Sequence, residues 1–368
     1  MKCRHFGKCG ACNLYNLEYK EALSLKKSRL KTLLDPFFNK EIEVFTSPLA
    51  NHRARAEFKI WHIKDRAFYA MSNISKDGVE IVSECPKVLE PILDIMYPLL
   101  EEINKSEILK NKLFAIEFLA GISNEVLVTL IYHKRLDNIW KEEAKKLQDK
   151  FKVFIIGRAR KQKLILSQEY ITEYLDIENK RYYYRYYEGG FTQPNPYINK
   201  HMISWAKKRA QAKGDFLEAY CGLGNFTIPL SENFDKVLAT EISKNSIKSA
   251  KENCKLNGVK NIEFVRLNAS ETSDALKKVR KFRRLEGINL ESYNFTTVLV
   301  DPPRAGLDEN SLDLVKDIDN IIYISCNPQT LARDLETLTK THRIVDVALF
   351  DQFPYTIHIE SGVYLERI

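Results

Sequence analysis

A chain of 368 residues is too long for one ordinary domain and comfortable for two, with the apolar and charged fractions (44% and 29%) of a globular protein. No apolar run is long enough to span a membrane and no export signal opens the chain, so a cytoplasmic protein is expected. The net charge of +8 admits a polyanionic partner without requiring one, and an odd set of seven cysteines argues for metal binding or catalysis over disulfides.

Cys3, Cys9 and Cys12 come first, spaced by glycine and small residues that let one loop turn several thiolates toward a centre. An iron–sulfur cluster is the first reading, zinc with His5 as a ligand the second, and a metal-free loop the third. Cys85, in Ser83-Glu84-Cys85-Pro86, is the candidate fourth ligand, since proline after a ligand cysteine recurs at iron–sulfur sites. Residues 17–34 have helical periodicity with a basic outer face, stopped by Asp35-Pro36.

From residue 41 to 187 strands and helices are mixed, with alternating stretches at 54–62, 112–118 and 125–133. Arg53, Arg55 and Lys59 fall on one face of the first stretch, with Phe58 and Trp61 nearby. This is either a phosphate-and-stacking surface for RNA or a solvated sheet face. Further basic runs at 158–163 and 181–187, the latter interleaved with tyrosines, favour a nucleic acid.

Gly189-Gly190 marks a boundary, dividing the chain into a cysteine-rich segment with a helix (1–40), an α+β RNA-binding domain (41–188) and an α/β domain (189–368). The last part repeats strand, turn and helix. Phe216 to Tyr220 is a strand, Gly222-Leu-Gly224-Asn225 a tight turn, and the next strand ends at Glu241. That order is a Rossmann-like nucleotide-binding unit on a parallel sheet. The turn lacks the third glycine of a dinucleotide fingerprint, so an adenosyl ligand without phosphates, S-adenosylmethionine, fits better. Glu241 sits where such folds hold ribose hydroxyls.

Two polar turns close later apolar strands: Asp301-Pro302-Pro303-Arg304 and Ser325-Cys326-Asn327-Pro328. In a doubly wound sheet both face the switch-point crevice, so Asp301 and Cys326 should both face the cofactor. Arg304 stands where amine methyltransferases place an aromatic, which argues for covalent catalysis by the cysteine instead. A thiolate adding to C6 of uracil makes C5 nucleophilic, and a base must then remove the C5 proton. Glu360 and His358 both qualify, and strand periodicity places them on the same side.

Together these residues resemble the RNA 5-methyluridine methyltransferases, most closely the tRNA (uracil-5-)-methyltransferase family. The resemblance runs through residues 55–62, 156–159, 191–195, 218–226, 239–242, 282–288, 300–308, 324–328 and 349–356. It implies a class I S-adenosylmethionine-dependent methyltransferase with Cys326 as nucleophile and Glu360, not His358, as proton acceptor. It also implies Gln193, Tyr220, Asn225, Glu241 and Asp301 around the cofactor. The expected reaction is C5-methylation of the T-loop uridine (uridine 54) of tRNA, and of the matching uridine of tmRNA, by a monomer. Cys3, Cys9, Cys12 and Cys85 instead match the 4Fe-4S ligands of the sister rRNA enzymes, which keeps a 23S rRNA uridine as the alternative target. An RNA-binding or tRNA-folding module is the alternative of another class.

Overall fold

The computed structural model describes residues 1–368. A helix, Tyr19–Leu34, opens it and is followed by a short strand, β1 (Glu43–Phe45). The helix starts on a reciprocal Glu18/Glu21 capping box and stops at Asp35, before Pro36. A seven-stranded sheet then forms from β2 (Arg55–Ile63), β3 (Arg66–Ser72), β4 (Val79–Ile81), β5 (Leu113–Ala120), β6 (Val126–Tyr132), β7 (Phe154–Ala159) and β8 (Gln162–Ile165). Its order is β4-β3-β2-β5-β6-β7-β8, antiparallel except for the β6–β7 pair, which the helix Asn138–Phe151 connects. That helix and Glu90–Lys105 pack over a core of Phe58, Phe118, Leu130 and Trp140.

The tyrosine-rich run is one arm of a hairpin, β9 (Tyr170–Ile177) and β10 (Lys180–Tyr187). Strand alternation explains its composition. Tyr182, Tyr184 and Tyr186 point inward and are buried with Ile171 and Leu175 against Ile198 and Met202. On the outer face Arg181 and Arg185 stack over Tyr174 and Tyr170 at 4.0 and 4.8 Å, and Arg181 is forked onto Asp176.

The second sheet has eight strands: β1 with β11 (Asp215–Ala219), β12 (Val237–Thr240), β13 (Ile262–Val265), β14 (Phe295–Val300), β15 (Asn320–Ser325), β16 (His342–Phe350) and β17 (Glu360–Arg367). The order is β1-β16-β17-β15-β14-β11-β12-β13, with β11 to β15 parallel and β17 antiparallel to its neighbours. Helices cover both faces, so every residue of β11 is buried and β15 is a nearly unbroken apolar run. Strand order reverses between β11 and β14, and a crevice opens there beyond the strand ends.

The N-terminal elements do not follow the linear division of the chain. β1 lies within 41–188, yet it pairs parallel with β16 of the second sheet. Leu30 and Leu34 of the first helix share a core with Leu331 and Leu335 of the helix Pro328–Leu338. No helix is long and apolar enough to cross a membrane.

Candidate active site

The crevice begins with the turn after β11. Tyr220 has φ +64°, its hydroxyl 3.2 Å from Ser311, and Gly222 has φ +54°. A Cβ on Gly222 would meet nothing within 4 Å, so the turn is an open cradle for a ligand; on Gly224 it would stand 3.1 Å from Ile228. Glu241, just past β12, accepts the Gly222 N–H at 3.2 Å and the Ser243 N–H at 2.7 Å. One carboxylate therefore spans the tips of the first two strands, where an adenosine ribose would be held. Asn225 is less free than expected: its amide is paired at both ends with Asn199, at 2.8 and 2.9 Å. Open glycine cradle, strand-end carboxylate and switch point together fit S-adenosylmethionine.

Strand register brings the reacting groups together. β15 and β17 are antiparallel with Ser325 opposite Ser361. Extending that ladder by one residue sets Cys326 across from Glu360, and cross-strand neighbours of this kind have Cβ atoms about 4.5–5.5 Å apart. His358 lies in the turn before β17 and is exposed, whereas Glu360 is 4% exposed. The alternation expected of these two residues does not apply, because the strand starts only at Glu360.

The Cys326 turn is fastened to the Asp301 turn. Asn327 caps the helix Pro328–Leu338, and its Nδ2 donates to the Arg304 carbonyl at 2.9 Å, as does the Thr330 hydroxyl at 3.2 Å. Asp334 accepts from the Tyr323 hydroxyl (2.6 Å) and the Leu307 N–H (2.9 Å), which holds the rest of that loop. Asp301 itself follows β14, which lies beside β15.

Burial dominates the electrostatics. It raises the carboxyls of Glu360 and Asp301 well above the usual carboxylate range, and Asp301 lifts Glu360 further while Arg304 opposes. Glu218, buried on β11, is raised for the same reason. Cys326 is pushed up to about 11 by burial first, then by Glu360 and Asp301, against the pull of Arg304. The thiol is therefore neutral at rest, and ionises only when a nearby base takes its proton.

Gln193 is buried, with Nε2 3.4 Å from Asp301 and Oε1 accepting from Gln352 at 3.1 Å. Sequence reasoning missed Gln352. It also missed the ion pair of Lys26 with Asp351, at 2.7 Å, both under 4% exposed. The signal was present: Asp351-Gln352 is a polar pair set between Leu349-Phe350 and Phe353-Pro354.

The three N-terminal thiols and that of Cys85 share one region of the structure. Cys3, Cys9, Cys12 and Cys85 do line one cavity, of about 600 Å³, which reaches Arg304, Gln352 and His358. However, no three His, Cys, Asp or Glu side chains anywhere in the chain are grouped so as to hold a metal ion. Backbone bonds from Gly10 to Ser72 and from Ile74 to Lys8 pin the loop to the seven-stranded sheet. Burial raises the Cys3, Cys9 and Cys85 thiols, the last to about 11. The zinc alternative has no free imidazole, because His5 lies 2.9 Å from Glu80 and 3.0 Å from Ser83.

The basic runs are also largely engaged within the protein. Arg55 is paired with Glu117, Arg158 with Glu188, and Lys163 with Glu169 and Glu188. Arg53 stacks over Phe353 at 5.8 Å, and Lys59 and Trp61 remain exposed.

Known proteins share this fold. In overall structure the chain is similar to the crystal structure of Pyrococcus abyssi tRNA (uracil-54, C5)-methyltransferase in complex with S-adenosyl-L-homocysteine. The TM-score is 0.75 at 23% identity, covering 96% of this chain and 85% of that one, a likeness of fold. In sequence it is 58% identical over 370 residues to a tRNA/tmRNA (uracil-C(5))-methyltransferase of Sulfurovum sp., and 52% identical over 368 residues to one of Nitratiruptor sp.. Both matches cover 100% of each chain. The model of the family described as tRNA (Uracil-5-)-methyltransferase matches residues 18–368, from the helix packed behind the crevice to the last strand. With the crevice, its paired turns and its relatives in agreement, the chain belongs to the tRNA (uracil-5-)-methyltransferase family.

Proposed function

We propose that this chain, acting as a monomer in the cytoplasm, methylates C5 of the T-loop uridine (uridine 54) of tRNA, and of the matching uridine of tmRNA, by covalent catalysis. The observation that carries the mechanism is the strand register that sets Cys326 across from Glu360 beside the Gly222 cradle. The names of the relatives favour tRNA and tmRNA over a 23S rRNA target.

S-adenosylmethionine, when bound, supplies an electrophilic methyl group. The chain's residues do the rest. Asp301, ionised, takes the Cys326 proton as sulfur bonds to C6 of a uracil drawn out of its stack, which leaves Glu360 free to act as the later base. Electron density displaced onto C5 lets that carbon take the methyl group. Glu360, ionised, removes the C5 proton, and the electrons of that C–H bond expel the Cys326 thiolate and restore the C5–C6 double bond. Gln193, Tyr220 and Glu241 hold the cofactor. Asn225, paired with Asn199, shapes the turn. Lys59 and Trp61 on the seven-stranded sheet face the rest of the RNA.

The test is tRNA carrying 5-fluorouridine. Fluorine cannot leave as a proton, so the adduct on Cys326 should persist as a slow-migrating band. No band, or a band that survives Cys326→Ala, rejects the mechanism. Mapping the 5-methyluridine lost from total RNA after gene deletion separates tRNA from rRNA, and tRNA binding without methyl transfer would leave only an RNA-folding role.

The 4Fe-4S cluster is a separate proposal. Four thiols on one cavity wall supply its donor set, and the Cys3–Cys12 loop would have to close on it. About four irons per chain after anaerobic purification supports it. Metal-free protein of full activity rejects it.

A further inference from the structure

Lys26 and Asp351 form the one ion pair whose side chains are both under a tenth exposed, at 3% and 1%. Lys26 Nζ donates to Asp351 Oδ1 at 2.7 Å and to the Phe353 carbonyl at 2.8 Å. It therefore grips the loop on both sides of Gln352. The Gln352 side chain is 1% exposed, with Nε2 3.1 Å from Gln193 Oε1 and 3.2 Å from Met202 Sδ. Both neighbours are acceptors. Turning the amide over would set its oxygen against another oxygen and a sulfur, so only one orientation is favourable. That orientation leaves Gln352 Oε1 with no partner. An unpaired buried acceptor is unfavourable, so the arrangement persists only because the surrounding bonds dictate it.

The consequence passes to Gln193. With Oε1 committed to Gln352, its Nε2 is the end turned toward Asp301 Oδ2, 3.4 Å away. Without that commitment the Gln193 amide can rotate, exchanging donor and acceptor at the crevice wall. We propose that Gln352 is a positioning residue for methyl transfer: its loop clamped by Lys26, it fixes the orientation of the Gln193 amide against Asp301. This rests on the reaction proposed above, and it acts through Gln193 rather than by touching a reacting atom.

The experiment is a double-mutant cycle with the full chain, S-adenosylmethionine and a tRNA transcript. Gln352→Met should lower kcat about tenfold with the KM for tRNA within about twofold, because misplacing one polar group acts on the reacting geometry. In a Gln193→Met background the same substitution should change kcat less than about twofold, since the amide it orients is gone. Gln352→Leu, of similar volume and with no donor, should repeat the pattern and serves if the methionine variant does not fold. Equal losses in both backgrounds, or no loss in the unsubstituted background, overturn the role. Absence of methyl transfer by the unsubstituted chain would instead remove the reaction, and this role with it.

Discussion

The crevice and the cysteine loop are built in opposite ways. In the crevice Tyr220, Glu241, Asp301, Cys326 and Glu360 each sit at the end of a strand, or one residue past it, and sheet register decides what they meet. Cys326 and Glu360 are 34 residues apart in sequence and are brought face to face by the β15–β17 ladder. In the loop, Cys3, Cys9 and Cys12 are close in sequence, yet backbone bonds with Ser72 and Ile74 hold them around a cavity without gathering them at a point. Proximity in sequence is a weaker guide to a joint site than a shared sheet edge.

That contrast can be sharpened or broken by substitution. Cys326→Ala should reduce methyl transfer by about a thousandfold or more and abolish trapping by 5-fluorouridine tRNA. Glu360→Gln should slow turnover about a hundredfold to ten-thousandfold, read as loss of tritium release from uridine labelled at C5. If either left turnover near normal, register would have lost its meaning. Lys26→Met strands the Asp351 charge in the interior and should cost about 3 kcal/mol of stability, measured by denaturant titration. A cost near zero would show that the first helix is not anchored to the crevice loop. Cys85→Ser is the opposite case, expected to leave kcat within about threefold; a loss comparable to that of Glu360 would put the cysteine cavity inside the reaction and break the comparison.

pH separates activity from stability. Glu360 must be ionised to take a proton, and its carboxyl is raised above the usual range, so activity should fall as pH drops through that raised value. Stability should move the other way. Carboxyls raised on folding hold protons that the unfolded chain releases, so their contribution is fully present below the unfolded value and lost as pH rises through the folded one. Glu218→Gln should flatten part of that decline, seen as a smaller drop in Tm as pH rises above the usual carboxylate range.

Much of the crevice was legible because its chemistry is written next to its strands. Gly222, Glu241, Asp301 and Cys326 each interrupt an apolar run, and parallel strands have a known end at which ligands gather. Glu360 was one of two choices, and neither periodicity nor composition separated it from His358. The resemblance separates them, and the start of β17 at Glu360 gives that choice a structural footing that strand boundaries, the least readable feature of a sequence, could not. The pairings of Asn225 with Asn199 and of Arg55 with Glu117 join residues distant in sequence and so were out of view. Lys26 looked like part of a solvated face for the same reason, because its partner Asp351 is 325 residues away.

The chain closes on itself. The Met1 ammonium donates to the Tyr355 hydroxyl at 2.6 Å, Leu14 N–H to the Tyr355 carbonyl, and β1 adds to β16 at the sheet margin. The N-terminal elements therefore wait for strands made much later. The opening helix and β1 have no partners until residues 328–357 emerge, so the crevice is completed only at the end of synthesis. A fragment beginning at Gly189 would leave β16 with a bare backbone edge, a template for pairing with other chains. Dividing the protein at the glycine pair should yield insoluble material rather than a smaller methyltransferase.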